Sequence, residues 1–179
     1  MRLPAQTIRF PLLFFFLLSF SAPLLHGQIA TNEESAKKRY EDAYQAAISY
    51  RFDKAIDLLQ EAIPYYQQQQ NWAQYFLGWE YLGECHWNKN DFSKAMAICD
   101  QVEDSAVSLL GPRHVVVAKL YNLRGIVFGG LSRMEDQIIW LHKALDLLPV
   151  GQDTSKLYLE SRIEILNNLG VSYGDIAMS

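Results

Sequence analysis

From about residue 33 onward, apolar positions recur at spacings of three, four and seven, the period of an amphipathic helix. Three blocks share one spacing: Trp79-x-x-Leu82-Gly83-x-x-His86, Tyr121-x-x-Arg124-Gly125-x-x-Phe128 and Leu166-x-x-Leu169-Gly170-x-x-Tyr173. Each sets a large residue, then a small one four later, then a ring three beyond that. A second pattern follows in Phe52-x-x-Ala55-x-x-x-Leu59-x-x-Ala62, Phe92-x-x-Ala95-x-x-x-Cys99-x-x-Val102 and Met134-x-x-Gln137-x-x-x-Leu141-x-x-Ala144. The small residues Ala43, Gly83, Gly125 and Gly170 stand 40, 42 and 45 residues apart. Self-similarity at such a period marks a helical-repeat array. The pattern therefore predicts two helices per repeat, joined by turns such as Asn88-Lys89-Asn90 and Gly129-Gly130-Leu131.

Local signals refine the boundaries. Thr31-x-x-Glu34 and Ser132-x-x-Glu135 have capping-box spacing. Gly111-Pro112 and Pro149-x-Gly151 break the chain between repeats. Pro64 falls within a helical pattern and is expected to kink or restart it. The run Gln67-Gln68-Gln69-Gln70 is read as the end of that helix rather than a ligand site. The small residues should let paired helices approach closely, Ala43 against Ala55 and Gly83 against Ala95. Gln137 breaks this rule opposite Gly125, so it must lean out or be hydrogen-bonded.

Residues 1–27 read as an export address. Arg2 and Arg9 precede an apolar run from Phe10 to Leu25, which ends at Leu25-His26-Gly27-Gln28, the layout of a secretory signal. The run holds Pro11 and Pro23 and is shorter than the roughly 20 residues of a spanning helix. Cleavage between Gly27 and Gln28 is the preferred reading, and an uncleaved anchor is the alternative. The expected location is periplasmic or extracellular, with no membrane span after cleavage. Of 179 residues, 50% are hydrophobic and 20% charged, enough apolar content for a core. Loss of the address removes two Arg and no acid, leaving 14 basic against 20 acidic side chains. Such an acidic product has no basic footprint for nucleic acid.

The blocks carry a resemblance. The pattern W-x-x-L-G-x-x-Y … A-x-x-x-F-x-x-A resembles the tetratricopeptide (TPR) repeat, best matched from Trp79 to Val102. The stretch Leu110-Gly111-Pro112-Arg113-His114 through Gly125 looks like the longer subtype of about 42 residues. That subtype is found in kinesin light chains and in exported bacterial arrays preceding a caspase-like CHAT domain. The resemblance implies an all-α, right-handed superhelix of about 3.5 repeats over residues 28–179, at approximately 33–70, 72–109, 112–149 and an incomplete 156–179. Departures are Gln137, Arg124 at a usually apolar position, and Asp42 in the first repeat.

In this family the first helices line a concave groove. Counted on this sequence, the inward positions are Lys37, Tyr40, Tyr44, Ala47 and Ile48, then Leu77, Glu80, Glu84, Trp87 and Asn88. They continue with Lys119, Asn122, Ile126, Gly129 and Gly130, then Glu164, Asn167, Val171, Gly174 and Asp175. The candidate peptide groove comprises Tyr40, Tyr44, Glu80, Glu84, Trp87, Lys119, Asn122 and Asn167. Tyr40, Tyr44 and Trp87 offer apolar platforms with polar tips, and the two Asn amides suit a peptide backbone. Packing against neighbouring helices is the competing reading of the aromatics. A carboxylate clamp of the chaperone-binding kind is not expected. Its five positions hold Tyr40, Tyr44, Tyr81, Lys119 and Leu123, and only Lys119 fits.

Signs of catalysis are sparse, and no cofactor or metal is expected. No H-E-x-x-H, P-loop or Gly-rich nucleotide loop occurs. His86 falls at a core position and should be a buried, satisfied ring. Glu84 and His86 are two apart and point to different faces, and Cys85 and His86 diverge by about 100°. Cys99 should be a buried thiol. Antiparallel pairing displaces Cys85 from it by about 9 Å along the helices, beyond disulfide reach, so two free thiols are expected.

The fourth block supplies one helix, with Ile163, Leu166, Leu169 and Tyr173 expected to pack on the third repeat while Val171 and Ile176 meet water. This helix either serves as an improvised cap or begins a repeat continued in a longer protein. The principal expectation is thus an exported, non-enzymatic scaffold that binds a protein or peptide. The alternative is the amino-terminal sensing arm of a larger protein, a CHAT-type protease or a signalling kinase or regulator.

Overall fold

The structure is a computed structural model describing residues 29–178. The segment read as an export address, Ser179 and the side chain of Ile176 lie outside the described residues. Seven helices follow in order: α1 (Glu33–Ile48), α2 (Phe52–Gln68), α3 (Trp72–Asn88), α4 (Phe92–Leu110), α5 (Val115–Gly130), α6 (Met134–Asp146) and α7 (Lys156–Met178). Among the described residues there are no strands. Each helix packs on its sequence neighbours, and α3 also meets α5, as α5 meets α7. This is the contact pattern of stacked helical hairpins, in which α1, α3, α5 and α7 form one layer and α2, α4 and α6 the other. The chain is an all-α solenoid.

One turn geometry recurs four times. Tyr50, Gln70, Asn90 and Ser132 have φ between 54° and 59°. The next residue's N–H reaches back five positions: Arg51 to Ala46, Asn71 to Tyr66, Asp91 to His86 and Arg133 to Phe128. This 6→1 bond is that of a Schellman motif. Each turn ties down the orphan carbonyls of one helix and starts the next helix two residues later. Ser132 is therefore a turn residue and not the cap of α6, whose N-cap is Arg133 with no side-chain bond. The first helix is capped by Asn32, which accepts from Ser35 N at 2.8 Å, one residue beyond the expected Thr31. Pro64 neither ends nor restarts its helix, for α2 runs unbroken from Phe52 to Gln68.

The glycines act mainly as seats. Gly129 and Gly130 lie inside α5 rather than in a turn. A Cβ on Gly129 would lie 2.6 Å from Gln137 Oε1, and one on Gly130 would collide with the Phe92 ring. Gly83 is closed over by Leu123 of α5, not by Ala95. Its closest contact is therefore with the next hairpin rather than with its own partner helix. Gly125 does face its partner helix, 2.9 Å from Leu141 for a built Cβ. Arg124 is accommodated by its ion pairs. Its guanidinium donates to Glu103 and to Asp100, each at 2.7 Å, and lies 5.0 Å from the Trp140 ring centre.

The last helix packs through a face that only partly coincides with the expected one. Tyr158, Ser161, Ile165, Leu169 and Ser172 are buried, while Ile163, Leu166 and Tyr173 are half-exposed. Of the four predicted packing residues, Leu169 is buried in the interface and Tyr173 meets α6 at its rim, its hydroxyl 2.9 Å from His142 Nε2. Gly170 has nothing within 4 Å of a built Cβ. At the equivalent position of α5, Gly125 faces Leu141 of its own second helix.

Candidate functional site

The first-layer helices α3, α5 and α7 converge on a cavity of about 440 Å³. Its walls carry Glu84, Trp87 and Asn88 from α3, Ile126, Gly129 and Gly130 from α5, and Glu164, Asn168, Val171 and Asp175 from α7. Met134 and Gln137 of α6 close one side. The Trp87 indole N–H donates to the Ile126 carbonyl at 2.9 Å, which fixes the ring and bridges adjacent hairpins.

Behind this cavity lies a polar cluster. Lys119 Nζ sits 3.0 Å from Glu80 Oε1 and 3.2 Å from Glu164 Oε2. The Asn122 amide donates to Glu164 Oε1 at 2.7 Å and accepts from the Asn168 amide at 2.9 Å. Glu80, on α3, is 2% exposed and Asn122 is fully buried, so this network ties α3, α5 and α7 together from within. Burial pushes the Glu84 carboxyl well above the ordinary carboxylate range, and nearby Glu80 adds to the rise against the opposing pull of Lys119. Glu80 is raised by burial as well, with Lys119 drawing it back. Burial alone would lower Lys119, but the surrounding carboxylates outweigh it and hold the ammonium charged. A neutral Glu84 can then donate to Glu80.

Glu80, Glu84 and Glu164 offer oxygens within 4.8 Å of one another, a spacing that could hold a metal ion. The Lys119 ammonium already lies against two of those carboxylates. A divalent cation there would meet its repulsion at close range. The cluster is accordingly an ion-pair network first.

The sequence-predicted groove residues divide into three groups. Glu84 and Trp87 line the cavity. Glu80, Lys119 and Asn122 form the layer beneath it, with their polar groups engaged by one another and by Glu164. Tyr40, Tyr44 and Asn167 lie elsewhere. The Tyr40 hydroxyl donates to the Gln74 carbonyl at 2.7 Å, and its ring meets Tyr66 edge-on at 5.3 Å. It is a packing residue between α1 and α3. Tyr44 is exposed, 6.4 Å from the Tyr81 ring, and Asn167 points to solvent while its neighbour Asn168 joins the network. Asn168 was within reach of the sequence, since it follows Glu164 by one helical turn and so shares its face. Gln137 and Met134 were not, because they belong to a second-layer helix.

Gln137 neither leans out nor finds a partner: it is 8% exposed and its Oε1 is unbonded. His86 is likewise less satisfied than expected. Its Nδ1 has no hydrogen bond and lies 3.9 Å from Asp91, and burial lowers its pKa. Cys85 and Cys99 are free and belong to different core clusters. Burial pushes both thiols up to about 12, which leaves them inert at neutral pH.

No protein-family model matches the chain, and no curated protein matches it. Among solved structures, the first TPR domain of the human RPAP3 protein, determined by NMR, is similar at 16% identity and a TM-score of 0.49. The match covers 79% of this chain and 97% of that one. The hairpin stack described above rests on this chain's own helix contacts and turns.

Proposed function

We propose that the protein is a binding scaffold, without catalysis of its own, whose first-layer face takes an extended peptide segment of a partner protein. The observation that carries this reading is the cavity of about 440 Å³ between α3, α5 and α7. Its floor is locked by the Lys119–Glu80–Glu164 network, while Trp87, Ile126 and Val171 give it an apolar wall. A rigid floor lowers the entropy cost of binding, and an apolar wall with a few polar groups is the common form of a ligand site.

Selection of random peptides against the protein tests the reading, with Val171→Trp as control. Val171 is 62% exposed, so the larger ring fills the cavity without disturbing the core. Peptides that bind the wild type and lose binding to Val171→Trp are expected. Failure to recover any such peptide overturns the groove.

We also propose that the chain is exported through residues 1–27, and amino-terminal sequencing of the secreted product should begin at Gln28. A product that begins at Met1 or stays in the cytosol contradicts this. A second reading makes these helices the sensing arm of a larger regulatory protein. It is favoured by the open face of α7, where Leu166 and Gly170 are exposed at the positions where Gly125 of α5 meets Leu141 of its second helix. Coding sequence beyond the last codon that supplies an amphipathic helix with a small residue facing Gly170 supports this reading, and its absence removes it.

A further inference from the structure

We propose that the groove recognises an arginine side chain presented by the bound peptide. This rests on the peptide-groove reading and adds the chemistry of the ligand. Three observations converge on it.

The first is charge. Glu84, Glu164 and Asp175 line the cavity, and no Lys, Arg or His does. Lys119 lies behind them, held by Glu80 and Glu164. With Glu84 neutral, the carboxylates of Glu80, Glu164 and Asp175 still outnumber the one ammonium of Lys119, so the field met by a ligand is acidic and favours a cation.

The second is a stranded acceptor. Gln137 lines the same cavity, is 8% exposed, and its Oε1 has no hydrogen-bond partner. A buried carbonyl oxygen without a donor is unfavourable, and a turn of the side chain that brings it to a ligand N–H relieves it. The acceptors left for a ligand are the Asp175 carboxylate and the Gln137 oxygen, since Glu84 donates to Glu80 and the two oxygens of Glu164 already accept from Lys119 and Asn122. The Trp87 N–H, the indole's one donor, is spent on Ile126.

The third is shape. With its N–H engaged, Trp87 offers the cavity apolar surface, continued by Ile126 and Val171. The ligand must be flat, donor-rich and weakly hydrated, on an apolar stem. A guanidinium has five N–H donors in a plane and stacks on aromatic rings. An ammonium concentrates its donors at one strongly hydrated point, and a neutral amide brings no charge.

Random peptides of about twelve residues, long enough for an extended segment to cross the groove, should be displayed against the full chain. Binders whose affinity is lost in Val171→Trp should share an arginine at one position. In a synthetic binder, replacing that arginine with citrulline, its neutral isostere, should weaken binding at least about ten-fold, and lysine should recover only part of the loss. Asp175→Asn, at an exposed position of the lining, should cost the arginine peptide about ten-fold and leave the citrulline peptide unchanged. Gln137→Met keeps the side-chain length and removes the stranded oxygen, so it should weaken arginine binding while raising the melting temperature. A merely structural Gln137 predicts the second effect without the first.

Groove-dependent binders that lack arginine, or that bind equally well with citrulline or lysine in its place, overturn this inference and leave the peptide groove standing. Recovery of no binder sensitive to Val171→Trp overturns both.

Discussion

Gly78 shows how much one residue can decide here. It lies in α3 beneath the Tyr40 hydroxyl, and a Cβ there would collide with that oxygen and come within 2.6 Å of Ile63. The missing side chain lets Tyr40 reach the Gln74 carbonyl and so fasten α1 to α3. Gly78→Ala should therefore cost about 2 kcal/mol of unfolding free energy, the scale of core overpacking. Equilibrium denaturation measures it, and a change within a few tenths of a kcal/mol contradicts this account of the seat. A second prediction concerns Glu84. Its folded carboxyl is raised above the unfolded value near 4.5, so the folded protein holds the extra proton. Stability from this group is full below that value and is lost as pH rises through the folded pKa. Half-buried His86, lowered in the fold, acts in the opposite sense below about pH 6.5, and so masks part of the slope in the wild type. Glu84→Gln isolates it. The melting temperature of the variant should gain on the wild type steadily between pH 4 and pH 8, and a constant difference across that range contradicts the assignment. Gly83, Gly125 and Gly170 were legible in the sequence because they repeat. Gly78 was not, since it answers a single tyrosine in the preceding hairpin and recurs nowhere.

The elements are joined by one repeated device. Gln70 holds φ at 54°, a conformation costly for residues with a Cβ, and Gly adopts it freely. Gln70 is exposed, so replacing it removes no core packing. Gln70→Gly should raise stability by about 0.5–1 kcal/mol, the relief at αL less the entropy of a freer unfolded chain. Thermal or urea unfolding tests this, and a loss of stability contradicts the turn assignment. Arg124 provides a second test at this scale, because its guanidinium joins α5 to Glu103 and Asp100 on α4 and to Trp140 on α6. Its side chain is 12% exposed and that of Glu103 is 11% exposed. Arg124→Leu leaves Glu103 buried without its partner and should cost about 3 kcal/mol. Adding Glu103→Leu should recover most of that loss, and simple additivity of the two changes contradicts the coupling. Helix number, order and pairing were readable from the three-, four- and seven-residue spacings. The turns were less so. Their αL residues are Tyr, Gln, Asn and Ser, and only Asn signals such a conformation in a sequence. The Gly129-Gly130 pair looked like punctuation but is a close-packing site.

At the scale of the whole molecule, the stack makes function depend on alignment between hairpins rather than on any one helix. Lys119, Asn122, Glu164 and Asn168 connect first-layer helices more than 40 positions apart in sequence. Helical counting places residues on a face but cannot say which of them the next hairpin will engage. That is why Glu84 and Trp87 were found at the cavity, while Asn122 proved to be internal bracing and Tyr40 a packing residue. It is also why the buried face of α7 was only partly foreseen. Its repeat signature places Leu169 and Tyr173 against the third repeat, and the solenoid adds Tyr158 and Ile165 to that contact while leaving Leu166 exposed. The central claim is that a partner's peptide lies across α3, α5 and α7. Its most direct test is the set of intermolecular nuclear Overhauser contacts between a selected peptide and the isotopically labelled protein. Contacts to Trp87, Ile126 and Val171 are predicted. Contacts confined to the outer layer, for example to the exposed Ile139 of α6, contradict it.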